Sequence, residues 1–235
     1  TAVACCGLAC TPGEPTEAAD EEEVLGWVFK TEDGMLVVGR RPHMSAELSS
    51  TRAWSPLHSA VVWMDPNSQV VYYPKVGVAR YWHETASLPI DLKDSLGRTP
   101  LDLAAHHGRA GLVKYFLEHD ANVNTVSDRH RFTPLMTAAV SGHTAVTKAL
   151  LEAGAKVGMR DTKGRTALHY AVGVSKRVVE LLVEHGAEVG AVDIYGESPL
   201  KFIKKRKIGE KGGPPSEDDK RWYIDFLTSH SERRN

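Results

Sequence analysis

Eleven histidines are spread along the 235 residues, and three cysteines, Cys5, Cys6 and Cys10, fall at the very start. Imidazole and thiolate are the side chains that hold zinc or act as bases and nucleophiles near neutral pH. Their spacing argues against both uses. The Cys-Cys-x3-Cys cluster has no histidine or fourth cysteine nearby to complete a tetrahedral set. It is expected to be a loose tail with exposed thiols, with acylation the alternative. His106, His107 and His130 also lack ligand spacing. No nucleophile elbow, phosphate-cradling glycine loop or paired-carboxylate motif occurs. No catalytic residue, metal ligand or cofactor is assigned, and an enzyme with an unrecognised site is the remote alternative.

What does recur at a fixed interval is a short motif. Thr99-Pro100-Leu101, Thr133-Pro134-Leu135, Thr166-Ala167-Leu168 and Ser198-Pro199-Leu200 each follow an aspartate five residues upstream. Those aspartates, Asp94, Asp128, Asp161 and Asp193, lie 34, 33 and 32 residues apart. A period near 33 marks a solenoid of helix pairs. Threonine or serine caps a first helix, and proline suits its first turn. A second, apolar helix follows, such as Lys176 to Glu184. It stops where a left-handed residue is needed, at Gly154 and Gly186, with Asp120 in the same place one repeat earlier. Leu101, Val113, Leu117, Leu135, Val146, Leu150, Leu168, Val178 and Leu182 are among the expected core residues.

The run Asp-x-x-Gly-Arg-Thr-Ala-Leu-His-Tyr-Ala at 161–171, with Leu-Val-Glu-His-Gly-Ala-Glu-Val at 182–189, resembles the ankyrin repeat. The likeness is strongest over 94–192 and weaker over 50–93 and 193–230. It implies a mainly α solenoid of about five repeats, 50–93, 94–127, 128–160, 161–192 and 193–230. It also implies that His58 and His169, in the fourth place of the motif, tie neighbouring loops. Partners are then read by the loop tips and by the concave face of the first helices. Carried over residue by residue, the candidate contacts are Leu96, Arg98, His106, His107, Arg129, His130, Phe132, Lys163, Arg165 and Tyr195. Basic and aromatic anchors dominate this row, which suits a protein partner with an acidic, partly apolar segment. An ordinary solvated face is the alternative.

Both flanks depart from the period. Residues 1–23 are small, polar and acidic and are expected to be a flexible tail. Apolar runs around Asp33-Gly34 predict a β-hairpin within 24–49 that caps the first repeat. The clustered Trp27, Trp54, Trp63 and Trp82 support that cap, or alternatively a second docking surface. Residues 63–74 read as an enlarged loop between two helices, the second from Val76 to Thr85. Trp222 and Phe226, and Tyr223 and Leu227, predict an aromatic helix face in the last repeat, before a short tail at 231–235. Lys204 to Lys207 read as a solvated helix end, or as an import signal. A net charge of −1 gives no general case for nucleic acid or membrane. No apolar run approaches the ~20 residues of a membrane helix. The start at Thr1 fits either loss of an initiator methionine or removal of a targeting peptide. The expected location is therefore the cytoplasm or nucleus, or an organelle. The expected function is a non-catalytic interaction module, either a scaffold or subunit of a larger assembly or a freely diffusing adaptor or inhibitor.

Overall fold

In the computed structural model of the chain, residues 28–30, 36–38, 55–61, 63–64, 71–72, 76–85, 87–209 and 213–232 are described. The acidic tail with Cys5, Cys6 and Cys10, the Asp33-Gly34 turn, Trp27, Trp54 and the last three residues lie outside them. The chain divides into two compact units, 1–44 and 45–235. In the first, β1 (Val28–Lys30) pairs antiparallel with β2 (Leu36–Val38), Val28 opposite Val38 and Lys30 opposite Leu36. The expected cap finds no support in these strands. The segments that would join and seat them, 31–35 and 39–54, lie outside the described residues.

The second unit is a succession of helix pairs. They are α1 (Pro56–Val61) with α2 (Val76–Arg80), α3 (Pro100–His106) with α4 (Ala110–Glu118), and α5 (Pro134–Ser141) with α6 (Thr144–Glu152). Then come α7 (Ala167–Ala171) with α8 (Lys176–Glu184), and α9 (Pro199–Lys205) with α10 (Glu217–Glu232). The helix starts follow from the capping motif. Thr133 Oγ1 accepts from Met136 N at 3.2 Å and Ser198 Oγ from Lys201 N at 3.3 Å. Thr99 goes further, with its own N–H donating back to the Asp102 carboxylate at 2.9 Å, a reciprocal box that satisfies two orphan donors. The stops follow too, since Asp120, Gly154 and Gly186 have φ of 62°, 84° and 87°. Aspartate there carries a left-handed cost of about 1–2 kcal/mol that glycine does not.

The motif leucines Leu101, Leu135 and Leu168 are fully buried, as is Leu57 of α1, while Leu200 is half-buried against the same core. Val113, Val146, Leu150, Val178 and Leu182 meet them from the second helices. Leu117 is only half-buried at the edge of that core, since it sits on the flank of α4 rather than on its inner stripe. In the last repeat, Tyr223 and Leu227 are buried, while Trp222 and Phe226 stack on each other at 4.9 Å beside them. The segment read as a loop holds a short ladder, β3 (Trp63–Met64) with β4 (Val71–Tyr72), Trp63 opposite Tyr72. The helix expected from Val76 to Thr85 is α-helical only to Arg80, and Tyr81–Thr85 form a wider π-turn.

Candidate partner-binding surface

The tip loop between one repeat and the next is set by a single carboxylate. Asp94 Oδ1 accepts from the N–H groups of Leu96 at 2.9 Å and Arg98 at 2.8 Å. Asp161 does the same for Lys163 and Arg165, and Asp193 for Tyr195 and Glu197. Gly97, Gly164 and Gly196 supply the left-handed turn residue, with φ near 70°. Burial pushes the carboxyls of Asp94 and Asp193 up, but these N–H groups and the adjacent arginines outweigh it and hold both below the usual carboxylate range.

Asp128 breaks the pattern. Its place in the turn is taken by Ser127, whose Oγ accepts from Phe132 N at 3.1 Å. This tip is one residue longer, so a non-glycine residue, Arg131, adopts φ 53° where the other loops have glycine. Asp128 is thereby pushed outward, where it pairs with Lys93 at 3.1 Å.

Adjacent tips are joined by backbone bonds. Asp128 N donates to Leu96 O at 3.2 Å, Thr162 N to His130 O at 3.2 Å and Ile194 N to Lys163 O at 3.0 Å. Deeper in the loops, Ser55 N–H donates to His58 Nδ1, which leaves Nε2–H to donate to Arg98 O at 2.9 Å. His169 repeats this with Thr166 N and Glu197 O. Burial holds both imidazoles below their ordinary value, so they stay neutral and keep that tautomer. The tips therefore form one connected edge rather than separate loops.

The ten candidate residues do not all face outward. Leu96, Arg129, His130, Lys163 and Tyr195 are exposed on the tips, and Tyr195 with its neighbour Ile194 reaches 66 and 64% exposure. His106 is exposed at the end of α3, against the half-buried His107 at 4.9 Å. Burial lowers both imidazoles, with Arg98 adding to the effect for His106 and His106 for His107. Phe132 is half-buried on the ring of Tyr170 at 4.9 Å. Arg98 and Arg165 are engaged within the chain, Arg98 with Asp94 at 2.7 Å and Arg165 with Asp193 at 3.2 Å and over the ring of Phe202. Their planar guanidinium groups suit such fixed pairing. Of the basic run, Lys205 pairs with Glu197 and Arg206 lies over Phe202. Among the described residues no group of three His, Cys, Asp or Glu side chains could hold a metal ion, and no helix is long and apolar enough to cross a membrane.

One residue of this surface escapes a motif-based search. Asp102 stands where His58 and His169 stand in their repeats and lines a groove between α3 and the next tip. The signal was visible, an acid in the fourth place of Thr-Pro-Leu-x, but its burial was not.

The sequence profile of the ankyrin repeats matches residues 68–161 and 127–193, with three copies. The chain belongs to the ankyrin repeat family. Ankyrin repeats are protein–protein interaction modules, which agrees with a stitched edge that exposes Leu96, Ile194 and Tyr195 to solvent. A comparison with curated proteins finds no match.

Proposed function

We propose that this ankyrin repeat chain is a non-catalytic scaffold or accessory subunit of an intracellular multiprotein assembly. It grips its partner along the tip edge and the adjoining ends of the first helices. The observation that carries this reading is the connected edge itself. Three tip-to-tip backbone bonds and two histidine ties hold exposed apolar side chains in one fixed row with Arg129, His130 and Lys163. A fixed row loses little entropy on binding, which favours a stable complex. With Arg98 and Arg165 turned inward, Arg129, Arg131 and Lys163 supply the outward charge, so the partner segment is acidic.

The test is the mass of the native complex from cells. The chain should run in a particle much larger than itself. Arg129→Glu with Lys163→Glu, both at exposed positions, should release it as a monomer. A wild-type chain of monomer mass would refute the subunit reading in favour of a free adaptor. A large particle indifferent to the double reversal would refute the edge as the contact.

A further inference from the structure

The groove between the second and third repeats encloses about 260 Å³. That is below the ~300–1,000 Å³ of small-molecule pockets and of the scale of one large side chain. Its walls combine the apolar Leu103 and Phe132 with Arg98, Arg129 and His130, and Asp102 is the one acid among them. Asp102 is 4% exposed, and its two oxygens are unequal. Oδ2 takes Thr99 N at 2.9 Å, Thr99 Oγ1 at 3.0 Å and Thr125 Oγ1 at 3.5 Å. Oδ1 is buried with no hydrogen-bond partner among the described residues. The equivalent place holds His58 and His169 in other repeats, where both ring nitrogens are used, and Met136 in the third repeat, which has nothing to satisfy. An unmade bond to a buried carboxylate is costly, and a donor from outside would remove that cost.

Resting on the reading of the edge as a partner site, we infer that this groove is its anchor pocket. It takes a tyrosine from an acidic segment of the partner, the ring against Leu103 and Phe132 and the hydroxyl donating to Asp102 Oδ1. A lysine or arginine would also satisfy the carboxylate, but it would have to enter past Arg98 and Arg129. Tyrosine brings a donor without charge on a large apolar body. Acidic neighbours in the segment meet Arg129 and His130 at the rim. Oδ1 has no free surface in the unbound chain. Seating therefore requires a rim side chain to move. His106, exposed and one turn beyond Asp102 on the same face of α3, is placed to do so.

The probe is a fluorescein-labelled heptapeptide of aspartates and glutamates around one central tyrosine, measured by anisotropy against the full chain. A second peptide has phenylalanine in the centre, and a third has lysines for the acids. The tyrosine peptide should bind roughly tenfold more tightly than the phenylalanine peptide, the effect of one hydrogen bond to a charged group. Asp102→Met should abolish that preference. The third repeat already carries methionine there, with the threonine cap intact. Should that variant lose helicity, the isosteric Asp102→Asn makes the same comparison and should shrink the preference. Equal binding of the two acidic peptides, with both lost on Arg129→Glu, overturns the pocket but leaves the edge standing. Binding of neither acidic peptide, or tighter binding of the lysine peptide, overturns the acidic-partner reading and this inference with it.

Discussion

Asp102→Asn should make the chain more stable at neutral pH than at acid pH relative to the wild type, and the difference can be worked out. Burial pushes the Asp102 carboxyl up from 3.8 to about 6, against the pull of the Thr99 and Thr125 bonds. A carboxyl raised on folding holds its proton more tightly in the folded state. Its contribution is therefore fully present below pH 4 and is lost as pH climbs to about 6. Two pKa units correspond to about 3 kcal/mol. Asparagine cannot ionise, and its carbonyl can still accept the Thr99 N–H. The stability of the variant minus that of the wild type should thus rise by about 3 kcal/mol between pH 4 and 7, then level off. Unpaired amide N–H groups add an offset that moves the whole curve without changing its slope. Asp94, Asp193, His58 and His169 also titrate with shifts, but they are common to both proteins and cancel in the difference. Arg98 is the charged neighbour that acts on Asp102, opposing the effect of burial, and it too is common to both proteins. The measurement is the urea midpoint by circular dichroism at half-unit pH steps, with the transition slope checked at each. Repeat arrays can lose two-state behaviour, and a changing slope would reveal it. A difference that stays flat from pH 4 to 7 refutes the argument that Asp102 is a strained, desolvated carboxyl.

Three further outcomes test the scaffold. Gly97→Ala should cost more than 2 kcal/mol, because its φ is 71° and the new Cβ would lie 2.3 Å from Asp128 Cγ. Gly154→Ala has a similar φ of 84° but open space around it, so about 1 kcal/mol is expected, and urea titration of the pair separates crowding from backbone strain. His169→Ala should cost about 2 kcal/mol and speed amide exchange at Lys163 and Ile194, since it removes a buried two-sided tie. Leu150→Ala, at a fully buried position of α6, should cost about 2–5 kcal/mol, and a smaller loss would mean that the interior collapses around the gap.

The repeated scaffold was legible because its signals are local. A threonine that caps, a proline in the first turn and a glycine at the stop each act within a few residues, and Asp120 could be recognised as the stand-in that accepts φ 62°. The β3–β4 ladder was not legible, because Trp63 and Tyr72 pair across a sequence separation that no local signal spans. The tip at Asp128 misled for a different reason. Aspartate recurs at the right distance from Thr133, yet an extra loop residue passes the turn-closing role to Ser127. Spacing counts residues and does not see which of them closes the hydrogen bond.

The same distinction governs the candidate site. Arg98, Arg129 and Arg165 look alike in the sequence, each a basic residue in a variable loop. Asp94 and Asp193 claim Arg98 and Arg165, because a carboxylate that already orders a tip through two backbone N–H groups is fixed in place for a guanidinium to meet. The tip at Asp128 has no such carboxylate, since Asp128 has been displaced toward Lys93. Arg129, His130 and Arg131 are therefore left exposed together, beside the groove that Asp102 lines. A single extra residue in one loop thus accounts for the outward charge being concentrated at the tip that carries Arg129 and Arg131. In a repeat array the recurring pattern builds the edge, and the place where the pattern slips decides where the edge can bind.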